Sequence, residues 1–151
     1  MQTRIENLPS EVGKPPTHIY MLNTDGSAPS NPGKIGGGGI LRDHQGKIIY
    51  AFSIPLGTGT NNQAESQAAL HGLQWCVQYG FLKVILECQH VYREANSTAD
   101  CLAKWSHKFD IVQHYYTKQQ LPNLAKGSYQ LEEMEMTQFR RKKLKRIKNP
   151  P

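Results

Sequence analysis

The sequence has few cysteines and no long apolar segment. Its three cysteines, Cys76, Cys88 and Cys101, are odd in number and form no Cys-x-x-Cys pair. This argues against both a disulfide framework and a structural zinc site. No apolar run approaches the ~20 residues that a membrane-spanning helix requires, and the polar start of the chain lacks the apolar segment of a signal peptide. These absences predict an intracellular protein of the nucleus or the cytoplasm, with no membrane partner.

Positive charge is concentrated near the end of the chain. The formal net charge is +6, and residues 140–151 hold seven Lys and Arg side chains and no acid. The rest of the chain is therefore close to neutral. Such a basic run is typical of a nuclear-localisation signal or of a nucleic-acid contact, although a solvated tail without a partner fits it equally well.

The length of 151 residues favours a single folded domain. Prolines near the start disfavour regular structure there, and Leu121-Pro122 marks a second break. We therefore expect an N-terminal extension over residues 1–17, a folded domain over residues 18–121, and a flexible C-terminal region with the basic tail over residues 122–151.

The first predicted strand is followed by an acid. His18–Thr24 is rich in β-branched and aromatic residues, and Asp25 and Gly26 come directly after it. A glycine lets the backbone turn without a Cβ clash. A carboxylate at such a strand end is a common metal ligand, but Asp-Gly is also frequent in plain hairpin turns. Both interpretations stay open at this point of the chain.

A glycine run and a hairpin come next. Gly36–Gly39 leads into Ile40, a turn is predicted at Asp43–Gly46, and Lys47–Ile54 alternates as a half-buried strand does. No Gly-Lys-Ser/Thr follows the glycines, so they do not form a phosphate-binding loop of that kind. We expect a strand whose backbone is closely approached by another group, with a ligand as one candidate.

A long helix is predicted to begin near Asn61. Asn61 or Asn62 is expected to cap it, and Gly80 is expected to end it. Glu65 lies close to its start. The helix dipole alone favours an acid there, while a stripe of small residues on the same face would turn the carboxylate toward the sheet.

A second helix also carries an acid near its start. Phe81–Leu86 predicts a buried parallel strand, and Ser97 then opens a capping-box-like helix with Asp100 in its first turn. Asp25, Glu65 and Asp100 thus occupy comparable places. Clustered carboxylates suit hard cations such as Mg²⁺, and two such ions can clamp the oxygens of a phosphodiester displacement.

Three ordered blocks resemble the signature segments of ribonuclease H-type domains. They are Asn23–Ser27, Asn61–Glu65 and His90–Ala103. The chain looks most like the plant ribonuclease H-like domain of retroelement-related proteins, over roughly residues 18–121. This resemblance implies an α/β fold with a mixed sheet flanked by helices. It also implies a hydrolase that cuts the RNA strand of RNA–DNA hybrids endonucleolytically with Mg²⁺ or Mn²⁺.

The resemblance also implies roles for individual residues. Asp25, Glu65 and Asp100 match the family's catalytic metal-binding carboxylates. His90 and Arg93 are the candidates for a residue that assists product release or protonation. Nucleic-acid contacts are assigned to motif residues and to the tail: Gly26, Ser27, Asn61, Asn62, Gln63, Arg140, Arg141, Lys142 and Lys143.

The chain departs from the family pattern after the fourth strand. Gln89 stands where the family has a fourth Asp, and the strand runs almost directly into the last motif block. Two residues reach at most ~7 Å, whereas a parallel crossover needs a dozen or more residues. We therefore expect the fourth and fifth strands to merge or one to be lost, with an exposed sheet edge. We also expect a displaced second helix that holds Asp100 away from Asp25.

The sequence thus predicts an internally truncated ribonuclease H-like α/β domain that lacks one strand and one or more helices. Its expected partner is nucleic acid, and its activity is expected to be impaired because one metal carboxylate is replaced. Two alternatives stay open, namely a catalytically inactive nucleic-acid-binding module and a truncated product without a function. The sequence leaves the oligomeric state open.

Overall fold

The computed structural model describes residues 19–88 and 96–134. They form a mixed five-stranded sheet flanked by three helices. The strands are β1 (Tyr20–Ser27), β2 (Gly33–Arg42), β3 (Ile48–Gly59), β4 (Val84–Glu87) and β5 (Gln113–Tyr115). The helices are α1 (Asn61–Gln78), α2 (Ser97–Trp105) and α3 (residues 123–134), with short 3₁₀ turns at Ser106–Lys108 and Lys118–Gln120. Within the described residues, no helix is both long and apolar enough to cross a membrane.

The strand order in the sheet is β4-β1-β2-β3-β5. β1, β2 and β3 are joined in antiparallel pairs, and β5 adds antiparallel to β3. β4 pairs in parallel with β1, with Asn23 opposite Glu87. Because the two strands run in the same direction, the chain leaves β4 at the end of the sheet where Asp25 lies on β1.

β1 is longer than the sequence predicted. Asp25 and Gly26 lie inside the strand, opposite Gly38 and Gly37, so the expected sharp turn at Asp-Gly is wrong. Gly26 instead allows α1 to pack closely on β1, since a Cβ there would lie 2.5 Å from the backbone nitrogen of Glu65. Close contact with α1 explains the glycine at this position.

The glycine run lies in β2 and lets helices approach from both faces. A Cβ on Gly37 would stand 2.7 Å from the Cβ of Ala68 on α1, and one on Gly38 would clash with the backbone of Ala103 on α2. Since neighbouring residues of a strand point to opposite faces, α1 and α2 cover opposite sides of the sheet. The expected close approach is confirmed, and helices make it rather than a ligand.

Each face of the sheet carries its own apolar core. The α1 face buries Leu22, Leu41, Tyr50, Phe52, Trp75, Cys76, Tyr79 and Phe81. The opposite face, covered by α2 and α3, buries Ile40, Ala51, Leu102, Tyr115, Leu121, Ala125 and Tyr129. The sheet is therefore covered on both sides despite the short chain.

Thr60 caps α1, not Asn61 or Asn62 as expected. Its hydroxyl accepts the Gln63 backbone N–H at 3.3 Å, and the Gln63 side-chain oxygen accepts the Thr60 N–H at 2.8 Å. This reciprocal pair satisfies two N–H groups of the first turn. At the other end, Gly80 has φ +84° and follows the last turn, as predicted.

The C-terminal region is described as far as residue 134, and part of it is folded. The sequence predicts a flexible region from residue 122 onward, but residues 123–134 form the helix α3. Tyr129 and Glu132 on this helix are each 2% exposed. Proline is favourable near a helix start, where its missing N–H costs nothing, so Pro122 precedes a helix rather than ending the domain. Residues 1–17 and the basic tail lie outside the described residues.

The sequence predicts an exposed sheet edge and one strand fewer, and only the exposed edge is found, at β4. Within the described residues, no strand pairs with the outer side of β4, which leaves this edge open. Ile85 is 48% exposed there. The sheet still has five strands, because Gln113–Tyr115 adds at the opposite edge beside β3.

Candidate metal centre

Two carboxyl groups meet at the edge of β1. Asp25 on β1 is 3% exposed and shares a hydrogen bond with Asp100 on α2. The pKa of Asp25 is raised from 3.8 to about 7, chiefly by burial, then by the hydrogen bond and negative charge of Asp100, with a smaller effect from Glu65. The Gly26 N–H, which donates to Asp25 Oδ1 at 2.8 Å, opposes that shift. Asp25 is therefore partly protonated near neutral pH.

The position of α2 contradicts the expected displacement. β4 and β1 are parallel, so the chain leaves β4 beside Asp25 and needs no return crossover to place a helix there. The Asn96 side chain anchors the helix start by donating to the Thr24 carbonyl oxygen at 3.1 Å. The helix then packs on the glycines of β2. Asp100 reaches Asp25 because of these contacts, and the prediction that it would not is wrong.

Glu65 approaches the pair from the α1 face. The start of α1 packs directly on Gly26, which brings the charge of Glu65 close enough to raise the pKa of Asp25. Asn61 Nδ2 donates to Glu65 Oε1 at 3.4 Å and orients it. Glu65 is the fifth residue of α1, so it lies beyond the first turn in which the sequence placed it.

Lys104 is a charged group that the sequence analysis did not select. Its ammonium lies 3.0 Å from Asp100 Oδ2. A hydrogen bond and the negative charge of Asp100 raise the pKa of Lys104, and the charge of Asp25 adds to this. The i,i+4 spacing from Asp100 is the sequence signal for this pair. Lys104 therefore partly neutralises the acids from the exposed side of α2.

Two buried amides lie on the elements that carry the acid pair. Asn23 is 1% exposed, and its Nδ2 donates to Glu87 Oε2 at 3.0 Å, while its Oδ1 has no hydrogen-bond partner. Asn96 Oδ1 is also buried without a partner. Buried amide oxygens without partners are costly, so a bound water would stabilise these two atoms.

The donor set suits a hard cation held with few protein ligands. Among the described residues, no three His, Cys, Asp or Glu side chains converge closely enough to form a complete metal-binding group. Mg²⁺, however, is commonly held by one or two carboxylates and several waters. Asp25 and Asp100 supply such a pair with excess negative charge, and Glu65 stands near it.

The remaining predicted residues divide into two groups. Asn61, Asn62 and Gln63 are exposed at the start of α1, Ser27 is half-buried beside His107, and Gly26 is buried beneath α1. The other predicted positions lie outside the described residues: Gln89, His90, Arg93, Arg140, Arg141, Lys142 and Lys143.

Known sequences match most of this chain. The sequence profile of the family described as Reverse transcriptase-like matches residues 23–90. A protein of Arabidopsis thaliana named as a ribonuclease H protein is 30% identical in an alignment 156 residues long, which covers 74% of this chain and 25% of the plant protein. The chain thus spans about a quarter of that relative. The matched stretch is longer than this chain, so the relative carries residues within it that this chain lacks, in keeping with an internal deletion.

Two solved structures are also similar. LC11-RNase H1 in complex with an RNA/DNA hybrid is 24% identical, with a TM-score of 0.48, over 58% of this chain and 95% of that one. RNase H1 from the archaeon Halobacterium salinarum is 20% identical, with a TM-score of 0.45, over 78% of this chain and 75% of that one. The family profile, the plant relative and the three motif blocks thus agree that this chain is similar to ribonuclease H-like proteins.

Proposed function

We propose that this protein hydrolyses the RNA strand of RNA–DNA hybrids with Mg²⁺ or Mn²⁺, as a plant retroelement-type ribonuclease H domain. The observation that carries the proposal is the hydrogen-bonded pair of Asp25 and Asp100, with the pKa of Asp25 raised to about 7. Two carboxyls forced together in a buried place repel each other, and a divalent cation relieves that repulsion.

Each residue of the site then has a defined task. Asp25 and Asp100 would hold the cation, and Glu65 would add a negative charge near it from the α1 face. Lys104 orients the Asp100 side chain through the contact at 3.0 Å. The cation, when bound, polarises the phosphodiester and stabilises charge on its oxygens. Asn61, Asn62 and Gln63 are exposed beside Glu65, and we assign them to contacts with the hybrid.

The proposed activity is weaker than that of a four-carboxylate site. Gln89 replaces the Asp that the family pattern places after β4, so water must fill more of the metal's coordination shell. An amide is a neutral donor and cannot offset the cation's charge as a carboxylate does. Restoring that carboxylate is therefore expected to increase the activity.

A cleavage assay tests the function directly. The full chain is incubated with a labelled RNA–DNA hybrid in Mg²⁺ or in EDTA, and the RNA fragments are counted. We expect slow cleavage that requires Mg²⁺, loss of cleavage in Asp100→Asn, and faster cleavage in Gln89→Asp. Asp110→Asn is the matched control, because Asp110 is exposed on the segment after α2 and should not affect the rate.

The inactive binding module predicts a different pattern. It would bind the hybrid equally well in Mg²⁺ and in EDTA, and Gln89→Asp would produce no cleavage. Gln89 at the position of the family's fourth Asp is the observation that favours this alternative. Hybrid binding without any cleavage, in both the wild type and Gln89→Asp, would therefore replace the enzyme proposal by the binding module.

The basic tail is proposed to add affinity that does not depend on nucleotide sequence. Residues 140–151 carry seven cations and no acid. Each phosphate that they neutralise should contribute about −0.9 to the slope of log K against log salt on duplex DNA. Removing residues 140–151 should flatten this slope by several units, measured by fluorescence anisotropy. A slope unchanged by the deletion would place the contacts elsewhere.

A further inference from the structure

Exposed cations and one aromatic ring lie together at the end of α2. Lys34 on β2, Trp105 at the end of α2 and Lys108 in the following turn form what we call the lysine–tryptophan surface. The Lys108 ammonium lies 4.3 Å from the centre of the Trp105 ring. The Lys34 ammonium donates to the His107 carbonyl oxygen at 3.1 Å. Within the described residues, neither lysine pairs with a carboxylate.

Core packing does not explain Trp105. The other tryptophan, Trp75, is 6% exposed and lies in the cluster beneath α1, whereas Trp105 is half-buried and belongs to neither cluster. Its ring meets Phe109 edge-on at 6.2 Å and Lys108 on its face. An accessible indole beside ammonium groups is the arrangement that holds single nucleic-acid strands, because phosphates bind the cations and bases stack on the ring.

This surface continues from the acid pair. Trp105 lies five helical steps after Asp100 on α2, which is ~7.5 Å along the helix axis. Lys104 lies between them and already neutralises Asp100. Asp110, next to Phe109, is an exposed acid nearby. The two lysines of the surface outnumber it, so the net charge there is positive. A strand that leaves the acids along α2 would meet Lys104 first and Trp105 next.

We propose that the lysine–tryptophan surface binds a single nucleic-acid strand that runs from the acid pair along α2. A base stacks on Trp105, and Lys34 and Lys108 contact phosphates. The proposal rests on the proposed function only for the direction of the strand, because binding itself needs neither metal nor cleavage. Stacking tolerates any base, since every base has a π face. An oligomer of uridine is therefore a sufficient probe.

Tryptophan emission tests this surface in the full chain. A 12-nucleotide uridine oligomer, about three times the shortest site of single-strand binders, is added in EDTA. We expect saturable quenching, because the base stacks on Trp105 while Trp75 stays shielded in the core. Trp105→Phe should lose the quenching. Trp105→Ala should weaken binding about 5- to 100-fold, measured by anisotropy at raised salt.

Charge variants provide matched controls. Lys34→Gln with Lys108→Gln should reduce the salt slope by about 1.4, since each phosphate on a single strand contributes ~0.7. Lys47→Gln with Lys83→Gln removes two exposed lysines elsewhere and should change neither the quenching nor the slope. Absence of quenching in the wild type, or quenching that persists in Trp105→Phe, overturns the inference.

The two proposals fail in different ways. Quenching without hybrid cleavage in Mg²⁺ would overturn the enzyme proposal and leave the lysine–tryptophan surface standing. Cleavage without quenching would overturn the surface and leave the enzyme proposal standing. Binding by the basic tail does not affect this distinction, because contact with the tail does not quench Trp105.

Discussion

Replacing Glu132 by alanine is expected to lower the free energy of unfolding by about 3–5 kcal/mol. Glu132 on α3 is 2% exposed and forms an ion pair with Arg42, which is 1% exposed. Its carboxylate also accepts the Thr98 backbone N–H and the Thr98 hydroxyl, each at 2.8 Å. Alanine leaves a buried guanidinium without its counter-charge, and leaves the first turn of α2 without its acceptor.

The effect should be specific to the buried pair. Gln130→Ala on the exposed side of α3 should change stability by less than about 0.5 kcal/mol. Arg42→Met combined with Glu132→Leu removes both charges and should recover most of the loss. Urea unfolding followed by circular dichroism gives the comparison. A loss below ~1 kcal/mol in Glu132→Ala would show that α3 does not fix α2 on the sheet.

Asp25→Asn is expected to abolish cleavage and, without metal, to stabilise the fold above pH 7. Its folded pKa of about 7 lies above the ordinary value of 3.8. The folded state therefore binds more protons between these two values, and stability falls as pH rises through this window. Above pH 7 the ionised Asp25 carries its full penalty, which Asn lacks. The gain is on the order of 1–2 kcal/mol, reduced from the full shift by water access.

Thermal unfolding across pH measures this effect. In EDTA the Tm of Asp25→Asn should exceed that of the wild type by several degrees at pH 8, and the difference should vanish near pH 4. Mg²⁺ should raise the wild-type Tm at pH 8 and leave the variant unchanged. Cleavage should fall about 100-fold or more. A variant less stable than the wild type at pH 8 would contradict the strained carboxyl pair.

Local features of the fold were predictable because short-range physics determines them. Asp43 and Gly46 close the β2–β3 hairpin as expected, with Asp43 Oδ1 accepting two backbone N–H groups and Gly46 at φ +84°. Gly80 ends α1 for the same conformational reason. Asp-Gly misled the sequence analysis because packing against α1, rather than a turn, requires Gly26.

The non-local features were not predictable from the spacing of residues. Ala125 and Tyr129 lie four residues apart on α3 and pack in one cluster with Leu121, which precedes the helix, but Leu121-Pro122 by itself predicts a break. The position of α2 depends on the direction of β4 beside β1. A short link after β4 cannot return to the start of the sheet, but α2 begins at the end where β1 and β4 both finish.

The resemblance to the family supplied what the residues alone left open. Asp25 fitted a plain turn, and Glu65 fitted a favourable helix dipole. Nothing in their spacing required them to meet Asp100. The structure brings Asp100 into hydrogen-bond contact with Asp25 and places Glu65 within their field. The roles of these acids as metal ligands remain our proposal.

The central claim is that Asp25 and Asp100 hold a divalent cation although the fourth carboxylate is absent. Calorimetric titration of the full chain with Mn²⁺ at pH 8 tests it without any substrate. We predict one weak, saturable binding event in the wild type, lost in both Asp25→Asn and Asp100→Asn and retained in Asp110→Asn. The same affinity in Asp25→Asn as in the wild type would contradict the claim.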